Sequence, residues 1–385
     1  MPAFPTATLS ARHARLRASF ADHRIDALVV GHGPNLRYLT NHGGTAGLAV
    51  VTDRAVVLLV DFRYQTAVEM LQASPAACPG LSVWPVPGSY DLALSECLES
   101  LGAGAVGFES AQVTVARHAA WERACRGRGL ALAFVATDRA VERLRVIKDD
   151  EEVARLRAAA AGLTPVAEAA MRAVRPGATE KEVAGVIESA LRAAGYERPA
   201  FDTIVASGPN AALPHHRAGE RKLVEGDLVV LDFGGVLDGY CSDLTRTVSV
   251  GTPSSDALRV HAAVLAAQLA AIDAVRPGVL ASLVDAAARQ VLDAKGLGEA
   301  FGHGTGHGLG LDVHEDPRVG RATADNPSAL LETGMVLTVE PGAYLAGWGG
   351  VRIEDDVLVT PTGCETLTSV PRELRNCGAA SGKPA

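Results

Sequence analysis

The sequence predicts an α/β domain followed by an α+β domain whose two halves repeat each other, and three observations predict it. Residues 9 to about 145 alternate short apolar runs with amphipathic stretches, the pattern of strands layered with helices. From about residue 150 the helices lengthen and the strands carry polar residues. Within that second stretch two pairs of segments match: AVRPG at Ala173–Gly177 and Ala274–Gly278, and LVEGDLVVLD (223–232) with LETGMVLTVE (331–340).

In chain order, DALVV, AGLAVV and AVVLLVD read as strands, RYQTAVEML as a helix, VGFE as a strand, and Val115 to Arg126 as a helix. The charge run VIKDDEE then interrupts the pattern, and acidic residues suit a first helical turn, so the domain boundary is placed between 147 and 148. Thr179 and Glu182 form a capping box, followed at helical spacing by Val183, Val186, Ile187, Ala190, Leu191 and Ala194, with Gly195 as the stop. The second domain is expected to run to 375, with 376–385 as a frayed tail.

At 385 residues and 48% hydrophobic composition, the chain exceeds what one core usually holds. Its net charge is -8 and no basic run interleaved with aromatics occurs, which argues against nucleic acid as a partner. Six cysteines without a CxxC pair point to reduced, buried thiols. The N-terminus lacks a signal peptide's apolar core, and no stretch approaches the roughly 18 uninterrupted apolar residues of a membrane span. The expectation is a soluble, cytoplasmic protein with no membrane partner.

Chemistry concentrates in the repeats. Each copy ends a strand on a carboxylate, Asp232 or Glu340, and each is followed by a turn and a second carboxylate, Asp243 after LDGY and Glu354 after AGWGG. Antiparallel strands would bring each pair to one end of a hairpin. Asp243, Thr245 and Thr247 share a face by the period of two, so Thr245 can support the site from behind. FGHGTGHGLGLDVHEDP adds His303, His307 and His314 among glycines that allow close backbone approach. GVRIEDDVLV places Arg352 beside Glu354, where a guanidinium can hold a carboxylate. SGPNAALPHHRAG offers His215 and His216 on a loop; adjacent side chains cannot both face inward, and His215 is the expected inward one, with His216 exposed.

Asp232, Asp243, Glu340 and Glu354 would repel strongly at close range and raise one another's pKa, and two divalent ions would cancel their charge. Such ions acidify water for attack on a carbonyl, so the set Asp232, Asp243, His307, Glu340 and Glu354 reads as a two-metal hydrolase site. Four oxygen donors and one nitrogen suit manganese, with cobalt or zinc able to substitute.

With these motifs on the page, the chain resembles the M24 peptidases, the creatinase and methionine aminopeptidase group, and within it the proline-specific prolidases and Xaa-Pro aminopeptidases. NLRYLTNHGGTAGLAVV and LLVDFRYQTAVE are similar to that branch's creatinase-like domain; SGPNAALPHH, GDLVVLDFGG, SDLTRTV, GHGTGHGLGLDVHEDP, VLTVEPGAY and GVRIEDDVLVT are similar to its catalytic signatures. The resemblance implies a creatinase-like α/β N-terminal domain and a pita-bread α+β catalytic domain with internal pseudo-twofold duplication. It implies metal ligation by the same five residues, with Glu340 doubling as general base. His215 and His314 would steady the substrate and tetrahedral intermediate with Arg352 beside them, and His303 would lie behind the ligands. His216 stands where the branch commonly has glycine.

The substrate so implied is a small peptide with proline second, and the assembly a homodimer or higher homo-oligomer. Methionine aminopeptidases generally lack the N-terminal domain, and creatinase-type hydrolases lack the intact ligand set. A dipeptidase is favoured over an aminopeptidase for longer peptides because the chain carries no long insertion; Arg318 or Arg352 would receive the substrate carboxylate. A non-catalytic binding protein of the same fold is a remote alternative.

Overall fold

The computed structural model describes residues 3–324 and 327–378. The chain divides into two compact units after Arg145, two residues ahead of the boundary expected from the charge run. The first unit holds strands β1 (Ala27–Val30), β2 (Leu48–Thr52), β3 (Val56–Val60), β4 (Leu81–Pro85), β5 (Ala105–Glu109) and β6 (Ala133–Thr137). Its helices are α1 (Thr6–Ala18), α2 (Phe20–His23), α3 (Gly33–Thr40), α4 (Phe62–Gln72), α5 (Tyr90–Leu101), α6 (Val115–Gly127) and α7 (Glu142–Arg145). The strands form one mixed sheet in the order β4-β3-β2-β1-β5-β6. β1, β2 and β3 are buried throughout, as their unbroken Val and Leu runs require, and α5 and α6 cover one side through Leu94, Leu98 and Trp121.

The second unit opens with the helix pair α8 (Asp150–Ala173) and α9 (Glu180–Ala193), each started by a reciprocal capping box, Asp149 with Glu152 and Thr179 with Glu182. Val183, Ile187 and Leu191 face the core as the spacing predicts, but Ala184 takes the buried place expected for Val186, which is 39% exposed. Ala190 and Ala194 pack against the same core, so Val186 is the one expected position that faces solvent.

Strands β7 (Arg198–Pro199), β8 (Ile204–Ser207), β9 (Leu228–Leu237) and β10 (Tyr240–Val250) follow, then helices α10 (Ser255–Ala274) and α11 (Ala281–Ala294). The remaining strands are β11 (Gly306–Gly308), β12 (Glu315–Val319), β13 (Val336–Val339), β14 (Gly342–Leu345), β15 (Gly349–Arg352), β16 (Asp355–Thr360), β17 (Gly363–Thr366) and β18 (Arg375–Cys377). β9 and β10 lie in one sheet and β13 and β16 in another, with β14–β15 a separate hairpin. β18 pairs with β10, so Asn376 and Cys377 belong to the sheet rather than to the expected tail; residues 379–385 lie outside the described residues.

The repeat seen in the sequence is a repeat of structure. α8–α9 packs with β9–β10 in one core, and α10–α11 with β13 and β16 in another. The two AVRPG turns are satisfied identically: Gly177 donates to Leu223 O and Gly278 to Leu331 O, both at 2.8 Å. Gly226 and Gly334 have φ of +87° and +92°, a region that favours glycine, and each amide donates to the partner strand, at Val250 O and Val359 O. α10 has a length and a mean hydropathy of 1.3 that would suffice for a membrane span, yet it packs on α11 and its Gln268 donates to the buried Asp355.

Candidate metal centre

β9 and β10 place Asp232 opposite Thr245 and Asp243 opposite Gly234, so the two aspartates are diagonal neighbours on one face of the ladder. From the other repeat, Glu340 follows β13 and Glu354 precedes β16. His307 comes from β11, where Gly306 is indispensable: a Cβ there would stand 1.9 Å from the Thr338 carbonyl oxygen. These five side chains converge. Donor atoms of Asp243, His307 and Glu354 lie within 4.8 Å of one another, and Glu340 Oε1 is 3.5 Å from His307 Nε2. Asp232 joins through Arg352, which donates to Asp232 Oδ2 and, at 3.2 Å, to the Thr245 hydroxyl that itself donates to Glu354 at 2.7 Å.

Electrostatics describe a place short of positive charge. Burial first, and then neighbouring carboxylates, push Asp243 and Glu340 well above the ordinary range and Glu354 up to about 8. Burial lowers His307 to about 4, so its ring is neutral near pH 7. Its Nδ1 lies 2.9 Å from the Gly308 carbonyl oxygen, which can only accept, so Nδ1 carries the proton and Nε2 bears a lone pair. That lone pair faces Glu340 Oε1 at 3.5 Å and Asp243 Oδ2 at 3.9 Å, all electron-rich. Asp243 Oδ1 is buried without a hydrogen-bond partner among the described residues. A cation among these atoms would relieve each of these unfavourable features, so the donor set fits divalent metal.

Around this cluster the structure sorts the other expected residues. His303 lies behind it: its Nδ1 donates to Gly304 O at 2.7 Å, leaving Nε2 to accept from the Tyr344 hydroxyl at 2.8 Å. Burial holds His303 at about 4, consistent with that neutral form. His314 is exposed, with its ring edge on His307 at 4.4 Å between centroids. Arg352 is buried, and its guanidinium is committed to Asp232, Thr245, Tyr344 and the Pro214 carbonyl. It is thereby removed as a receiver of substrate carboxylate. Arg318, opposite His307 in the β11–β12 register, is exposed and has no ion-pair partner among the described residues.

The two loop histidines reverse the expected exposure. His216 turns into the protein, with Nε2 2.7 Å from Glu180 Oε2, and His215 is the exposed one. The reason is Glu180, a buried carboxylate that needs donors and sits 36 residues away in the chain. Sequence reasoning also missed Tyr344, Asp355 and Arg246. Arg246 is buried, donates to Asp355 and to the Glu354 carbonyl, and so fixes the backbone of a carboxylate at the centre. The consecutive acids of IEDD were a visible signal for Asp355; for Tyr344 and Arg246 there was none.

Comparison with known proteins agrees with this geometry. Residues 154–361 match metallopeptidase family M24, and residues 12–147 match the creatinase/prolidase N-terminal domain. An Xaa-Pro dipeptidase from Bacillus anthracis superposes with a TM-score of 0.88 at 38% identity, covering 95% of this chain and 99% of that one. An X-Pro aminopeptidase from Thermotoga maritima superposes with a TM-score of 0.84 at 33% identity, covering 94% and 99%. The Xaa-Pro dipeptidase of Pyrococcus horikoshii is 33% identical over 353 residues, which are 91% of this chain and 94% of that one.

Proposed function

The chain belongs to metallopeptidase family M24, and from that premise we propose that it is a dinuclear exopeptidase cleaving Xaa-Pro dipeptides. The observation that carries this reading is the His307 Nε2 lone pair turned on carboxylate oxygens, an arrangement that makes sense around a cation. Asp232, Asp243, His307, Glu340 and Glu354 would hold two ions, and manganese suits four oxygen-donor residues with one nitrogen. When bound, the ions polarise the scissile carbonyl and lower the pKa of water.

The chain's own residues complete the reaction. Glu340 takes the proton of the attacking water and delivers it to the departing proline nitrogen. His215 and His314, both exposed, donate to the carbonyl oxygen as it gains charge. Arg352 keeps Asp232 in place rather than touching substrate. Proline's amide has no proton and a fixed φ, so a rigid ring can be received without satisfying an N–H.

Relatives of both specificities resemble the chain, and Arg318 supports the dipeptidase: an exposed guanidinium beside the centre can pair with a free C-terminal carboxylate. The acidic chain and free thiols support a cytoplasmic setting, and size in solution tests the expected homodimer. The deciding assay compares Gly-Pro with a Gly-Pro-initiated tripeptide before and after chelation. Gly-Pro should be cleaved faster, and chelation should abolish activity that manganese restores. Turnover by metal-free protein would overturn the metallopeptidase mechanism, and ready cleavage of the tripeptide would overturn the dipeptidase reading.

A further inference from the structure

We propose that Glu180 and His216 form a latch that positions His215, a refinement that rests on the substrate role given to His215 above. Glu180 is the first residue of α9 and is fully buried. A carboxylate in that position must collect donors or lose its charge. The loop 207–219 supplies all five. Oε1 accepts from Ser207 N at 2.8 Å, Ser207 Oγ at 2.7 Å and Asn210 Nδ2 at 2.9 Å; Oε2 accepts from His216 Nε2 at 2.7 Å and Gly219 N at 3.2 Å. Burial raises the carboxyl's pKa, but these bonds outweigh it and hold the group below its ordinary range.

Between those anchor points the chain makes a turn. His216 N donates to Leu213 O at 3.1 Å, which puts Pro214 and His215 at its two corners. From the centre, Arg352 reaches the Pro214 carbonyl at 3.4 Å. The turn is therefore gripped on one side by the metal cluster's arginine and on the other by the latch. His215 itself is exposed and has no hydrogen-bond partner among the described residues. Its placement is set by the turn alone. With the His216 ring drawn down to Glu180, the neighbouring imidazole is left exposed on the other side of the turn, free to reach substrate. Glu180 and His216 are thus positioning residues, acting through His215 rather than on substrate.

The test uses the full chain with manganese and follows hydrogen exchange in 207–219 alongside turnover of Gly-Pro. His216→Ala should speed exchange in 207–219 about tenfold, the scale of one lost hydrogen bond to a charge, and leave the β9–β10 hairpin unchanged. kcat/KM should fall about tenfold, and His216→Ala added to His215→Ala should cost nothing more. His216→Gln, which can still donate to Glu180, should recover most of the protection and serves if the alanine variant folds poorly. Unchanged exchange in His216→Ala would overturn the latch, and additive losses in the double variant would overturn positioning through His215. If the unsubstituted protein fails to cleave Gly-Pro, the substrate reading falls while the exchange result still decides the latch.

Discussion

β9 and β10 stay paired through ten successive positions, from Leu228 with Ser249 to Leu237 with Tyr240, and Asp232 and Asp243 sit inside that unbroken ladder. β13 and β16 pair over four positions only; the chain leaves the ladder at Glu340, makes the β14–β15 hairpin, and returns at Glu354. In the first copy, the continuous ladder fixes the backbone of both carboxylates. In the second, the freed amides find partners elsewhere, Glu340 N at Thr305 O (2.7 Å) and Glu354 N at Thr245 O (3.1 Å). The second partner belongs to the first copy. Opening one ladder thus knits the two repeats together.

The largest expected effect comes from the β14–β15 hairpin. In metal-free protein Arg352→Met should cost about 3–5 kcal/mol in chemical denaturation, because Asp232 is left buried without its partner. Arg352→Lys restores the charge but not the fork to Thr245 and Tyr344, and should recover only part. Wild-type stability in Arg352→Met would break the idea that this hairpin secures the unbroken copy.

A second effect reads the crowding of both carboxylate pairs at once. Burial and then Asp232 raise Glu354 to about 8 from an unfolded value near 4.5, and Asp243 and Glu340 shift the same way. The metal-free native state therefore binds protons that the unfolded chain has released. This contribution to stability is complete below about pH 4.5 and is lost as pH rises through about 8. Urea midpoints of chelated protein should fall between pH 5 and pH 9, and manganese should flatten the decline. A chelated midpoint that rises over that interval would show that the pairs do not crowd each other.

The smallest effect separates equivalent glycines. Alanine at either left-handed position costs about 1–2 kcal/mol for the backbone alone. Around Gly226 the added carbon meets open space, whereas at Gly334 it would stand 3.1 Å from Ile147 Cγ2 and Lys148 O. Gly334→Ala should therefore be the costlier by about 1 kcal/mol in urea denaturation. Equal costs would mean that the second copy tolerates crowding as well as the first.

Much of the fold was legible because its signals are local. Apolar runs ending in glycine turns give β9, β10, β13 and β16, and Thr179 with Glu182 gives the start of α9. The four carboxylates of the metal cluster were legible from their repeated spacing and His307 from its glycine- and histidine-rich run. Asp232, however, expected to end a strand, lies inside β9 because the ladder continues through Gly234 and Gly235 to the turn at Asp238 and Gly239. What failed depended on distant partners. Which of His215 and His216 turns inward is decided by Glu180, and Tyr344 matters only because the β14–β15 hairpin folds against His303. On α9 the periodicity placed every expected residue but Val186, since spacing alone does not weigh where the edge of the apolar stripe meets solvent.

Arg246 has one further consequence. Its guanidinium takes the carbonyls of Val370 and Pro371 along with those of Thr245 and Glu354, and β18 lies against β10 just beyond. A shortened gene that stopped before codon 370 would strip two acceptors from a cation lying directly behind the cluster. Expression designs that trim this end for solubility would loosen the catalytic half of the protein, whereas an affinity handle appended beyond Gly378 spares every one of those bonds.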